Sequence, residues 1–495
     1  PHFAFLHKPV ALTLELVAVI GCAAAEHFHA GVDSHLDQPF ALILQAHHIR
    51  AVLLGDVLQK LEIDMRGKIG VTGMGEDIDL LVRLQCLQGR SRAQFLMPVV
   101  DDEGRAALIL QPADFSDQRM RIDDHAIADA VARFAEDALA PLAQRMDEEA
   151  LSATCHVPGL SALGVMGMNL PEALGGPGVT PTAMLLSLVA ISRACAATSS
   201  MIGAHYLGTD AVLIGGDDAQ RQQWLPHCAS GQWLAAFALT EPRGGSHPAD
   251  MRTRAVRDGD DYLITGVKHF ISNAAEARFM VVFAKTDMEA GARGVSAFIV
   301  PRDLPGIQVS APEKLMGIRG GHAFEVSLDG VRVPASHRLG AEGTGFKTAM
   351  KVLDNSRLDV AATALGVAEA ALAAAAQWAN QRLVGGEPLA TKQGIQWKLA
   401  DMKLRLEASW ALTMQALALR QAGQPFTQHS AMAKLHASEM VGFVTDEALQ
   451  IHGGYGYTRD MPLERLVRDA RILRIYEGSS EVQRSIIARG VLGGS

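Results

Sequence analysis

Cysteine is scarce. There are five in 495 residues (Cys22, Cys86, Cys155, Cys195 and Cys228), with no CxxC pair and no His/Cys ligand spacing. That argues against a disulfide framework or a zinc site, and the scattered thiols suit a reducing compartment, so a cytoplasmic protein is expected. Basic charge is also short: 45 Lys and Arg stand against 54 Asp and Glu, a net charge of −9. This balance gives no electrostatic footprint for nucleic acid. No apolar run reaches membrane-spanning length without a charge. The stretch from Pro9 to Ala25 comes closest, and Glu15 interrupts it, so no membrane partner is expected. That stretch lacks the basic flank of a signal peptide, although Val-Ile-Gly-Cys22 faintly resembles a lipoprotein cleavage site. Glycine-rich phosphate motifs are missing as well. No GxGxxG follows a strand and no Walker loop occurs, which argues against a Rossmann site and a P-loop.

What is present is globular: 48% of residues are hydrophobic and 20% charged, enough apolar surface for cores, and the length suggests about three domains. Residues 1–112 read as an extension of unknown role. Seven of the 18 histidines fall before residue 50, but without the repeated spacing of a metal site, and the short apolar runs there lack clean helix caps or hairpin signals. Residues 113–232 read as helical. Positions 124–145 place apolar residues at helical spacing, and helices are expected at 180–197, at 208–216 and in the Gln-rich run before Trp224. Between 233 and 342 the chain turns to β-branched and aromatic runs (YLITG, FMVVFAKTD, VSAFIV, HAFEVSLDGVRV) parted by Gly, Asp and Pro. From 343 to 495 it is helical again, at about 345–382, 391–421, 427–451, 461–474 and 479–490. Blocks of one kind of element predict segregated layers, an α+β multidomain fold, not alternating βαβ units.

Two C-terminal segments carry chemistry. Leu449-Gln-Ile-His-Gly-Gly-Tyr-Gly-Tyr457 places paired glycines after a helix, where a backbone can bend or approach a flat ligand. Arg474-Ile-Tyr-Glu-Gly-Ser-Ser-Glu-Val-Gln483 sets a carboxylate beside Gly between two helical segments. Taken singly, a helix C-cap and a solvated loop carboxylate or cap are the better explanations. Together, with Arg468-Asp-Ala-Arg-Ile472 between them, they resemble the acyl-CoA dehydrogenase family. The resemblance continues in Leu239-Thr-Glu-Pro242, Gly245-Ser246, Lys268-His-Phe-Ile-Ser-Asn273, Met316-Gly-Ile-Arg319, Val331-Arg-Val-Pro334 and Leu399-Ala-Asp-Met402, and covers about residues 116–493.

The resemblance implies a helical N-terminal domain, a central β-barrel-like domain and a C-terminal four-helix bundle, with FAD between them. Phe237, Leu239, Thr240, Gly245 and Ser246 would line the flavin, Ser246 also touching the acyl-CoA. Phe270 and Ser272 would stand on its other side. From a neighbouring subunit of a homotetramer, Arg382, Gln393, Gln450, Gly453 and Gly454 would reach the FAD, and Ser479 and Glu481 match cofactor contacts after the base. Asp354, Arg357, Val360, Thr363, Tyr476 and Gly478 would border the acyl-CoA. The chain departs from the commonest family pattern at Arg243 and His247 in the Thr-Glu-Pro loop and at Val384 and Gly385 after Arg382.

The implied reaction is α,β-dehydrogenation of an acyl-CoA thioester to the trans-2-enoyl-CoA, a step of fatty-acid β-oxidation. Glu477 would be the base, the flavin the hydride acceptor and an electron-transfer flavoprotein the next acceptor. Some relatives carry the base on the helix of Leu353-Asp-Asn-Ser-Arg357, where Ser356 stands here and cannot act as one. The alternatives are an acyl-CoA oxidase or other flavin oxidase on the same scaffold, or a non-catalytic flavin-binding relative. Ser356, Val360 and Thr363 share one helix face, and Thr363 and Leu473 narrow the acyl region. Short to medium or branched acyl groups, on the order of four to eight carbons, are therefore expected.

Overall fold

A computed structural model describes residues 122–493 and, before them, two short strand pairs. The chain divides into two compact units, residues 1–119 and 120–495. In the first, Leu61–Ile63 pairs antiparallel with Ile69–Val71, and Phe95–Val100 with Ala106–Gln111. The histidine-rich segment, the Pro9–Ala25 run, Cys22 and Cys86 lie outside the described residues.

The second unit opens with helices. Ile122–Phe134 (α1) runs through one wider turn, Ala135–Leu139, into Ala140–Glu149 (α2). Val157–Ala162 (α3) is short. Pro181–Ala194 (α4) starts where Thr180 accepts from the Ala183 amide and Pro181 occupies the first turn, a position that needs no N–H. Ala196–Gly215 (α5) follows, then Asp218–Ala229 (α6), which a capping box of Asp217 and Gln220 begins. The expected helix 180–197 is thus cut at Cys195, whose backbone is extended, and the expected 208–216 segment is the end of a 20-residue helix. The reason is burial on nearly every side of α5. A helix with no solvent face shows no polar–apolar period to read.

The sheet comprises Ala235–Ala238 (β1), Arg254–Asp258 (β2), Asp261–Ser272 (β3), Phe279–Lys285 (β4), Val295–Pro301 (β5), Ile307–Val309 (β6), Ala323–Pro334 (β7) and Arg338–Leu339 (β8). Their order is β6-β7-β3-β2-β4-β5-β8, with β1 parallel beside β4. All seven residues of β4 are buried, which is why it reads as a continuous apolar run and not as alternation. β1 and β2 were not legible. Ala-Ala-Phe-Ala has little strand propensity, and β2 is largely exposed and charged.

The C-terminal helices are Gly345–Gln381 (α7), Gln393–Gln421 (α8), Thr427–His452 (α9), Leu463–Arg471 (α10) and Ser480–Val491 (α11). α7 is long and apolar enough to cross a membrane, but 72% of its most apolar window is buried inside the protein, so it serves as a core helix. Its alanines let neighbours come close. A Cβ at Gly366 would lie 2.1 Å from Ser192 Oγ and 2.2 Å from the Val189 carbonyl of α4, so only glycine permits this approach. Arg468 of α10 ties this bundle to α2, donating to both carboxylate oxygens of the buried Asp147 at 2.7 and 2.6 Å.

Candidate active site

The loop between α10 and α11 presents Glu477. Its φ is +52°, a left-handed conformation that costs a non-glycine residue free energy and gathers at functional sites. The chain holds that turn in place from behind. Lys434 Nζ, on α9, donates to the Gly478 carbonyl at 2.7 Å, and Gln483 Nε2 donates to the same oxygen at 2.9 Å and to the Glu477 carbonyl at 3.2 Å. Gly478 has φ +90°, and a Cβ there would sit 2.5 Å from Gln483 Nε2. Ser479 then caps α11 by accepting from the Val482 amide, and Glu481 lies exposed in its first turn.

Glu477 Oε2 is enclosed and accepts no hydrogen bond. Burial pushes the carboxyl up to about 7, against the opposing pull of the Ser356 hydroxyl, Lys434 and Arg357. A carboxylate poised near neutrality and lacking a partner can take a proton from a bound molecule. Ser356, unfit as a base, thus contributes by facing one. Lys434 was missed altogether. Its ammonium is fully buried, and burial brings it down to about 8 while Glu477 favours its charge. The available signal was a lone Lys between Ala431 and Ala437 on an apolar helix face.

Tyr476 and Arg357 lie within electrostatic reach of the base, and Val360 and Thr363 are buried further along the Ser356 face of α7. Arg357 is 4% exposed, pairs with Asp354 and has a buried Nε without a partner. Asp354 also accepts from Thr427 at 2.6 Å. The Thr363 hydroxyl lies 2.8 Å from Ser199 of α5 and donates to the Asp359 carbonyl at 2.9 Å. Gly203, one turn beyond Ser199, is buried, yet a Cβ there would meet nothing within 4 Å. An open space therefore adjoins this helix face.

A second group of candidates lies on the sheet and in the loop that follows β1. Thr240 is partly buried, Gly245 and Ser246 are exposed, and Ser272 ends β3. Phe270 has φ +57° and is 59% exposed, its ring stacked on His269 at 4.0 Å and 12°. Phe237 packs inward, 4.8 Å from Phe283, and Leu239 is buried. The Thr-Glu-Pro loop is anchored by Lys268, which donates to Glu241 at 2.9 Å and to the Leu239 carbonyl at 3.1 Å. A third group forms a groove of about 440 Å³ in which Arg382, Gly453 and Gly454 meet Trp378, Tyr455 and Thr458. The Arg382 guanidinium lies 5.6 Å over the Tyr455 ring. Gln393 and Gln450 are exposed but are not among its walls.

Models of the acyl-CoA dehydrogenase N-terminal, middle and C-terminal domains match residues 122–232, 236–331 and 343–492. The chain belongs to the acyl-CoA dehydrogenase family. It is 41% identical over 362 residues to the acryloyl-CoA reductase (NADH) of Anaerotignum propionicum, covering 73% of this chain and 92% of that one. To the mitochondrial short-chain specific acyl-CoA dehydrogenase of Bos taurus it is 42% identical over 362 residues, covering 72% and 87%. The structure of butyryl-CoA dehydrogenase from Megasphaera elsdenii superposes with a TM-score of 0.74 at 37% identity, covering 76% of this chain and 99% of that one.

As an acyl-CoA dehydrogenase the protein uses FAD, and the residues present fit that cofactor. A Cβ at Gly453 or Gly454 meets nothing within 4 Å, so the open backbone there can lie against a flat or extended ligand. Arg382 offers a cation beside it for a phosphate. On the sheet, the exposed Phe270 ring is a surface for stacking, and Gly245 and Ser246 of the Thr-Glu-Pro loop are exposed. Among the described residues no cluster of His, Cys, Asp or Glu could hold a metal ion.

Proposed function

We propose that this acyl-CoA dehydrogenase removes the α-proton of a short- to medium-chain acyl-CoA with Glu477, forming the trans-2-enoyl-CoA and passing the electrons to an electron-transfer flavoprotein. The observation that carries the proposal is the enclosed Glu477 carboxylate, held on a strained turn near neutral pKa with one oxygen unpartnered. FAD, when bound, supplies the acceptor for the β-hydride. The chain's own residues do the rest. Gln483 and Lys434 fix the turn, the Glu477 backbone N–H serves the thioester oxygen as charge builds there, and Glu477 holds the proton. The butyryl-CoA and short-chain relatives support the size of substrate.

The test is an anaerobic titration of the purified flavoprotein with butyryl-, isovaleryl-, octanoyl- and palmitoyl-CoA. Bleaching of the flavin by the shorter members is expected. Rapid reoxidation of the bleached flavin by air would mark an oxidase, and no bleaching by any member would overturn the reading.

Two further outcomes follow from the geometry. Gly203→Leu fills the open space beside Ser199 and Thr363 in a helix that tolerates leucine well. It should lower kcat/KM for octanoyl-CoA at least about tenfold relative to butyryl-CoA, because two or more methylenes lose their place at about 0.8 kcal/mol each. Equal loss for both would show that this space is not the acyl pocket.

The groove of Arg382, Gly453 and Gly454 supports a homotetramer in which one subunit completes the FAD site of another. Arg382→Ala should therefore weaken FAD retention and subunit association together, read by flavin content and sedimentation. Stoichiometric FAD on a monomer would contradict it.

A further inference from the structure

α7 carries a carboxylate that the reaction above does not use. Asp359 stands three residues after Ser356, which faces the base, and four before Thr363. Those three positions share one helix face. Asp359 is 8% exposed and its carboxyl makes no hydrogen bond, unlike the other buried aspartates and Glu241 among the described residues. Asp147 is gripped by Arg468, Glu241 by Lys268 and two amides, and Asp469 accepts the Ile318 amide. Asp210, beside Asp359 on α5, is satisfied by Asn169 at 2.8 Å and Asn355 at 2.9 Å.

Burial, against the opposing charge of Arg420, holds the Asp359 carboxyl well above the ordinary carboxylate range, and a buried acid without a hydrogen bond is short of a partner. The fold supplies an opposing charge without contact. Arg420, at the end of α8, acts electrostatically on both Asp210 and Asp359, and its Nη1 is itself buried without a partner. Arg420 Nη1 and the Asp359 carboxyl are thus both left without a hydrogen-bond partner, and Asp359 shares its helix face with Thr363, which meets Ser199 one turn from the open space at Gly203. Asp359 also lies within electrostatic reach of Glu477 and of the Tyr206 and Tyr476 hydroxyls. An alkyl chain alone would fill this region without satisfying either group.

Resting on the acyl-CoA dehydrogenase reading, we infer that Asp359 is a specificity residue for acyl groups carrying a hydrogen-bond donor, a hydroxyl or an amine, near the far end of a short chain. Three helical residues rise about 4.5 Å from Ser356. That corresponds to roughly three or four bonds of an extended acyl chain beyond the α-carbon. A terminal carboxylate is disfavoured, because two aspartates already share one guanidinium.

The experiment measures kcat/KM for hexanoyl-, 5-hydroxyhexanoyl-, 6-hydroxyhexanoyl-, 6-aminohexanoyl- and adipoyl-CoA with the holoenzyme, its Asp359→Leu and Asp359→Asn variants, and the thermal midpoint of each. The wild type should favour a hydroxy- or aminoacyl probe over hexanoyl-CoA by about 10- to 100-fold, the usual cost of leaving a buried polar group unpaired. Asp359→Leu should abolish or reverse that ratio, and Asp359→Asn should retain part of the preference for the hydroxyl but not for the amine. The relative order of hydroxyl and amine in the wild type identifies the donor. A wild type that prefers hexanoyl-CoA, with Asp359→Leu lowering every substrate equally or only the thermal midpoint, would make Asp359 purely structural and overturn the inference. Bleaching of the flavin by none of the probes, with butyryl-CoA also silent, would instead overturn the dehydrogenase reading on which it rests.

Discussion

Glu477→Gln is expected to lower kcat/KM for butyryl-CoA by about 10²–10⁴-fold or more, the usual worth of a general base, while FAD content and acyl-CoA binding persist. Gln keeps the size of the side chain and both polar atoms but cannot accept the α-proton. The pH profile separates this from a structural effect. The base works deprotonated, and burial raises its carboxyl to about 7. Wild-type kcat/KM should therefore climb with pH, about tenfold per unit well below 7, and level off above it. The residual activity of the variant should lack that limb. The stability change has a defined sign too. A carboxyl whose native pKa lies above its ordinary value binds more protons folded than unfolded. Its ionisation therefore opposes folding as pH rises from about 4.5 to about 7. Glu477→Gln should leave stability at pH 8 unchanged or higher. A variant that turned over at the wild-type rate would sink the assignment.

Lys268→Met should cost about 3–5 kcal/mol of stability, the typical result of removing one member of a buried ion pair. Lys268 is completely buried, and burial brings its ammonium down to about 8 even with Glu241 holding the charge. Burial also opposes the charge on Glu241, but Lys268 and the amides of Arg252 and Thr253 keep its carboxyl below the ordinary range. Without the ammonium, that carboxylate is left in the interior with the two amides alone, at 2.6 and 3.0 Å. The Leu239 carbonyl loses its donor in the same step, so the Thr-Glu-Pro loop should loosen and FAD should dissociate more readily. Changing Glu241 to Leu as well should recover only part of the loss, since the Arg252 and Thr253 amides then lack an acceptor. A denaturation midpoint for Lys268→Met within error of the wild type would show that the pair contributes nothing net.

These two predictions draw on different kinds of information. The segment around Glu477 was readable because its chemistry is local: a carboxylate, a glycine and a helix start lie within a few residues. The helix and strand blocks were readable for the same reason, since α7, α8 and α9 each present a polar side and β3 and β7 alternate. The family could be identified because its motifs recur in order along the chain.

Other features depend on groups that meet only after folding. Lys434 reaches the Gly478 carbonyl 44 positions away, and Arg468 grips Asp147 at a separation of 321. No spacing rule connects such pairs. Strands β1 and β2, and the full length of α5, were hidden because packing against neighbours outweighs weak local preference. Ser356 was legible as a residue that cannot be a base, but not as one that faces it. By itself, the sequence determined the layers, the family and the candidate base, because periodicity and short motifs are properties of neighbouring residues. Only the tertiary structure decided which charges are buried, which are paired and which remain open. The free energy of a charge is set by the dielectric and partners around it, and those are assembled from distant parts of the chain.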